Sequence, residues 1–162
     1  MSRIMKLAGK DLESPEKRRE YTVCVVGCGR TGLVTACLFA EAGFNVIGVD
    51  SSSHTVHQLK RGKSPFTEST LRKFIETHIK NSQFMATTNL RKAVSESSII
   101  IIGVPSALDK KKKPDYSWLE KTCRDIGMSL TAGSLIIFQN TMGPGMTETV
   151  AKEALESASG LE

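Results

Sequence analysis

Residues 21–50 read YTVCVVGCGRTGLVTACLFAEAGFNVIGVD, and this stretch decides the fold. Tyr21 to Val26 is a β-rich apolar run that stops at Gly27. From about Arg30 to Ala42 the apolar residues return at helical spacing, with Leu33, Ala36, Cys37 and Ala40 on one stripe. Gly43 then supplies the residue that helices favour just past their end. Asn45 to Val49 is a second apolar run, and Asp50 closes it. A strand, a helix and a strand in about thirty residues make a βαβ unit, whose strands are parallel.

The same alternation continues outward. The pattern predicts helices at about Ser53 to Lys60 and Ser69 to Lys80, with Ser64-Pro65-Phe66 as the turn between them. A short strand follows at Phe84 to Thr87, then a short helix at Asn89 to Ser95 capped by Thr88 or Asn89. Ser98 to Val104 contains four consecutive isoleucines, which suits a strand buried on both faces of a parallel sheet. Pro105 to Pro114 reads as a loop, and Asp115 is placed to cap a helix that runs to about Leu130. A fifth strand at Ser134 to Phe138, a loop with Pro144 and Gly145, and a helix from about Met146 to Ser157 complete the chain. The expected class is therefore α/β: a Rossmann-type, doubly wound parallel sheet of about five strands in the order 3-2-1-4-5. Residues 1–20 are charged and weakly patterned, and are expected to form an extension outside the core fold, partly disordered. Within it Ser14-Pro15-Glu16 can start a short helix. The domain proper is expected to span residues 21–162.

Bulk properties narrow the function classes. The 162 residues, 40 % hydrophobic and 24 % charged, fit one soluble globular domain of ordinary size. No apolar run approaches the ~20 residues that span a bilayer, and the N-terminus lacks the apolar region of a signal peptide. The net charge is +5, and its densest cluster is Lys110 to Lys113 in one loop, read as solvated or, as the other reading, as an electrostatic aid to an anionic ligand. A nucleic-acid binder would gather such an excess on one face. Cys24, Cys28, Cys37 and Cys123 form no C-x-x-C pair, so reduced thiols in a cytoplasm are expected rather than a disulfide framework.

The loop Gly27-Cys28-Gly29-Arg30-Thr31-Gly32 is G-x-G-x-x-G, set between a strand and a helix, with a carboxylate ending the next strand. Gly27 makes the tight turn, Gly29 leaves room for a pyrophosphate at the backbone, and Gly32 lets the helix pack close. The free N–H groups of the helix's first turn, with Arg30 and Thr31, then face the phosphates together with the helix dipole. Asp50 follows Gly32 by 18 residues and is placed to accept from the adenosine ribose hydroxyls. A 2′-phosphate beside that carboxylate would be repelled, and no arginine follows until Arg61, which favours NAD over NADP. Two other readings of the loop are an empty glycine turn and a methyltransferase, whose loop usually lacks the third glycine.

Further motifs lie in order along the chain. The segments AEAGFNVIGVD, RGKSPFTESTL, ATTNLRKAVSESSIIIIGVP, ALDKKKKPDYSWLE and QNTMGPGMTETV closely resemble successive patterns of the UDP-glucose/GDP-mannose dehydrogenases. The resemblance runs from about Tyr21 to the C-terminus. It implies an enzyme that oxidises the primary hydroxyl of a nucleotide-bound sugar to a carboxylate with two NAD, through a cysteine-bound intermediate. It also implies a homodimer when full length. By position, Val104, Pro105 and Ser106 match the family's Val-Pro-Thr near the cofactor. Thr141 matches a threonine that the family uses to hold a water or substrate oxygen, and is a supporting catalytic candidate. The family's Glu-Ser-Thr reads Gln139-Asn140-Thr141 here, and the glutamate of the S-P-I-x-E-P-G-L region is kept as Glu68 without its proline and glycine. The family's catalytic cysteine lies in a glycine-rich motif of a C-terminal half; none of the four cysteines here has that context. The chain therefore reads as a fragment, expected to bind NAD weakly and not to turn over alone. The loop around Leu108 and Asp109 leans toward UDP-N-acetylhexosamine members.

The remaining residues are read plainly. Cys24 is a core residue. Cys28 is a small filler, although a helix N-terminus can lower a thiol's pKa there. His54, His57 and His78 are expected at the surface with no metal set around them. Tyr116 and Trp118 are expected to pack. A β-hydroxyacid or 3-hydroxyacyl-CoA type dehydrogenase, or a non-catalytic nucleotide-sensing module, stands beside the main reading.

Overall fold

A computed structural model of the chain describes residues 9–105, 107–108 and 110–161. Ser106, expected near the cofactor, lies outside the described residues. A 3-10 turn at Gly9–Leu12 leads into α1 (Pro15–Arg18), where Ser14 caps as expected. The sheet and its first helices follow: β1 (Thr22–Val26), α2 (Arg30–Glu41), β2 (Asn45–Val49), α3 (Ser53–Lys60), α4 (Ser69–Lys80), β3 (Phe84–Thr87), α5 (Leu90–Ser95) and β4 (Ile99–Ile102). Next come β5 (Ala107–Leu108), β6 (Pro114–Asp115), α6 (Ser117–Gly127), β7 (Leu135–Phe138) and α7 (Lys152–Ser159).

The main sheet has five strands in the order β3-β2-β1-β4-β7, all parallel. It is the expected 3-2-1-4-5 order, because β7 is the fifth strand of that sheet. β5 and β6 form a separate antiparallel pair within the segment read as a loop. Two residues on each side were too few to register as strands.

Alternate side chains of the central strands enter two cores. Val23, Val25, Ile99 and Ile101 face α2 and α4, while Cys24, Val26, Ile100 and Ile102 face α5, α6 and α7. The four isoleucines of β4 are accordingly all buried. At the edge, β7 keeps one bare face, where Leu135 and Ile137 are exposed.

Three boundaries differ from expectation. The helix at Asp115 starts at Ser117, and Asp115 Oδ1 accepts from the Ser117 N–H at 3.0 Å. It ends at Gly127 rather than near Leu130, and Gly127 is where α7 packs closely: a Cβ there would meet Leu155 O at 2.8 Å. The last helix opens with a π turn at Thr147–Ala151, closed by Ala151 N–H donating to Met146 O at 3.2 Å, and only then becomes α7.

The described part of the leader docks on the domain. Arg18 donates from Nε to Leu12 O at 2.6 Å and from Nη1 to Ala42 O at 2.8 Å, just past the end of α2. Leu12 packs against the first core. His78 is the other surprise. It is 4 % exposed, with Nε2 2.9 Å from Glu41 Oε2, because it sits on the buried face of α4 with Leu71 and Ile75.

Arg18→Ala is expected to destabilise the domain by about 1–3 kcal/mol, since it removes charged hydrogen bonds to the carbonyls of Leu12, Glu13 and Ala42. Chemical denaturation, read as a lowered midpoint at unchanged slope, checks this.

Candidate functional site

Strand order reverses at β1, which leaves a crevice at the carboxyl ends of β1, β2 and β4. The turn out of β1 fits there only as glycine. Gly27 has φ +103°, and a Cβ on it would lie 2.8 Å from Gly103 O, past the end of β4. A Cβ on Gly32 would lie 1.8 Å from Gly27 O, a backbone atom that has nowhere to go. The start of α2 is thus pressed directly onto the turn. Gly29, by contrast, meets nothing within 4 Å: its missing side chain leaves open space at the N-cap of α2.

Asp50 faces the same crevice. Its Oδ2 accepts from the Cys28 N–H and its Oδ1 from the Ser52 N–H, both at 2.9 Å. The carboxylate is therefore fixed against the glycine loop itself. Gly27, Gly29, Asp50, Val104 and Pro105 line a cleft of about 430 Å³. Arg30 and Thr31 form the first turn of α2 beside it, both exposed. The Arg30 side chain pairs with Glu68, Nε to Oε1 at 3.2 Å, and lies over the ring of Phe66. The structure brings together Gly27, Gly29, Asp50, Val104 and Pro105 as lining residues. Thr141 is elsewhere, exposed in the loop after β7 and not among the residues that line the cleft. Its neighbour Asn140 ties that loop to the segment after β4 through a hydrogen bond from Nδ2 to Val104 O. Gln139 ties it to α2, its Nε2 donating to Thr35 Oγ1 at 2.8 Å.

The opposite wall was missed in the sequence. Thr88, Leu90, Trp118, Lys121, Thr122 and Asp125 complete the cleft. Trp118, expected to pack, is 49 % exposed, with Lys121 Nζ 5.9 Å from its ring centroid. A signal existed: Leu119, Cys123 and Ile126 define the buried stripe of α6, and Trp118 stands one position off it. Tyr116 does pack, and its hydroxyl accepts from the Gly143 N–H at 2.9 Å.

The thiols are inert. Cys28 is buried, and desolvation together with the Asp50 carboxylate pushes its pKa up, the opposite of the lowering that a helix start can produce. Burial pushes Cys24 and Cys123 up to about 12 and Cys37 up to about 11. Among the described residues no group of three or more His, Cys, Asp or Glu is placed to hold a metal.

An open space at a helix N-terminus, bare amides and an adjacent fixed carboxylate suit a dinucleotide's diphosphate and ribose. The comparisons with known proteins agree. The family described as UDP-glucose/GDP-mannose dehydrogenase family, NAD binding domain, matches residues 21–162. The chain is 32 % identical over 143 residues to GDP-mannose 6-dehydrogenase of Azotobacter vinelandii, covering 85 % of this chain and 32 % of that protein. It is 34 % identical over 134 residues to UDP-N-acetyl-D-mannosamine dehydrogenase of Methanocaldococcus jannaschii, covering 81 % and 30 %. The crystal structure of GDP-mannose dehydrogenase from Pseudomonas aeruginosa, a ternary complex, superposes with a TM-score of 0.80 at 30 % identity, over 85 % of this chain and 32 % of that one. The chain thus spans about a third of the length of the relatives it matches.

Two substitutions separate the glycine roles. Gly32→Ala is expected to lose about 1–3 kcal/mol or more of stability through overpacking, whereas Gly29→Ala is expected to unfold at an unchanged midpoint; parallel denaturation curves decide this. The thiols give a pH dependence. Raised folded values mean full stability below the ordinary thiol value of 9.0, lost as pH climbs from there toward 11 and 12, because the unfolded chain ionises first. A denaturation midpoint that falls from about pH 9 up to pH 11, with a smaller fall in Cys37→Ala, is the expected result.

Proposed function

Because this chain belongs to the UDP-glucose/GDP-mannose dehydrogenase family and forms its NAD-binding domain, we propose that the cleft beside Gly29 is the NAD seat of a nucleotide-sugar dehydrogenase. The single observation that carries this is the pairing of open space at Gly29 with the Asp50 carboxylate, tied to the Cys28 amide at the same loop.

The division of labour follows from the residues. The amides of Gly29, Arg30 and Thr31 and the dipole of α2 hold the diphosphate. Arg30 adds a positive charge at the first turn. Asp50 accepts from the adenosine ribose hydroxyls and repels a 2′-phosphate. Trp118 and Leu90 offer apolar walls to the adenine. Val104 and Pro105, which follow β4, keep the rest of the cofactor against the sheet, and Ser106 is assigned to the same task from its place in the sequence motif. Thr141, in the loop that Asn140 fastens to Val104 just past β4, has a hydroxyl that both donates and accepts, and serves a substrate oxygen or water. Bound NAD supplies the hydride acceptor. The substrate class is a nucleotide sugar, whose primary hydroxyl reaches the carboxylate level by two hydride removals.

The described cysteines do not supply a covalent nucleophile, because all four are buried with raised pKa values. We therefore assign this chain cofactor binding without turnover of sugar by itself, and dimerisation and sugar oxidation to the full-length enzyme. Four free thiols fit a reducing cytoplasm, and no helix among the described residues is long and apolar enough to cross a membrane.

Trp118 is the one tryptophan in the sequence, so its fluorescence reports on the cleft. Titration with NAD is expected to change that fluorescence saturably, and NADP to bind more weakly. Asp50→Ala is expected to weaken NAD by about 1.5–3 kcal/mol, roughly ten- to 150-fold. Equal affinity for NAD and NADP, or an unaffected Asp50→Ala, contradicts the reading.

A further inference from the structure

Arg30 opens α2 next to the space over Gly29, yet its side chain is held by the segment that joins α3 to α4. Its Nε is 3.2 Å from Glu68 Oε1, and its guanidinium carbon is 5.4 Å from the centre of the Phe66 ring. Phe66 packs against the first core, and its N–H donates to Ser64 Oγ at 3.0 Å, so the ring is a fixed surface rather than a loose one. Glu68 stands at the N-cap position of α4, where a side chain ordinarily bonds the first turn, but makes no capping bond. Its carboxylate is directed to Arg30 instead of to its own helix. Both partners are open to an incoming anion, with side chains 70 % and 44 % exposed.

A guanidinium presents its donors as a fork that suits carboxylate and phosphate oxygens alike. Glu68 and a diphosphate are therefore rivals for one cation. A diphosphate held at the start of α2 would also be repelled by Glu68, because both are negative. We propose that Glu68 is a counter-ion that sets NAD affinity: it neutralises Arg30 in the free protein and is displaced by the dinucleotide's diphosphate. Phe66 is the platform that keeps the cation beside the glycine loop during the exchange. The inference rests on the NAD reading of the cleft and names the pair that tunes it.

The test is a double-mutant cycle on the intact chain. NAD is titrated against wild type, Glu68→Gln, Arg30→Gln and the double variant, at low and at high salt. Denaturation midpoints are measured alongside to confirm that each is folded. Glu68→Gln is expected to bind NAD about two- to fivefold more tightly than wild type, the range typical of an exposed ion pair. That gain is expected to vanish in the Arg30→Gln background and to shrink as salt rises. A purely structural Glu68 would shift the midpoint without this coupling. Unchanged or weaker binding by Glu68→Gln, or the same gain without Arg30, overturns the proposal while the NAD reading stands. Failure of wild type to bind NAD at all overturns both.

Discussion

The approach of α2 to the turn after β1 is the constraint on which the rest depends. A helix whose third residue lies against a backbone carbonyl can have no side chain there, and Gly32 meets that condition against Gly27 O. The close approach in turn forces Gly27 into the left-handed region and presses it against Gly103, so β1, α2 and β4 are locked at one point. The same geometry aims the unpaired amides at the start of α2 into the crevice where strand order reverses. Asp50 is drawn in by its bond to the Cys28 amide, so the carboxylate and the amides are positioned by one loop rather than by separate elements.

Function is then divided by environment. The cleft is lined by the glycine loop, the fixed Asp50 carboxylate, the exposed Trp118 indole and polar side chains such as Lys121 and Asp125, and by none of the four thiols. The groups with nucleophilic potential, the four thiols, are sealed in the two cores, where desolvation holds them protonated. In the function proposed above, such a domain grips a cofactor and leaves the chemistry to other groups. That fits a chain matching about a third of the length of its relatives.

Much of this was legible in the sequence because period and punctuation are local. The strand–glycine–helix–strand run at residues 21–50, the four isoleucines of β4 and Asp50 each announce themselves within a few residues. What escaped was set by packing at a distance. Gly127, the last residue of α6, must be glycine because α7 packs against it, which no window around Gly127 reveals. His78 is buried by Glu41 and Gln83, residues on other segments. Trp118 faces the cleft because its neighbours Leu119 and Cys123 take the core, a fact readable from helical phase but overruled by the habit of burying tryptophan. Thr141 matches the family's motif, yet it is not among the residues that line the cleft, although its neighbour Asn140 bonds the lining residue Val104. The pairing of Arg30 with Glu68 spans nearly forty residues of chain and is invisible to any local pattern.

Backbone amide NMR during an NAD titration tests the central claim most directly, because it reads the loop atoms themselves. The account requires the largest shifts at Gly29, Arg30 and Thr31, with a second group at Asp50 to Ser52 and a third at Val104. Shifts that leave the start of α2 undisturbed, or that gather on another face of the sheet, would mean that the diphosphate is not held there.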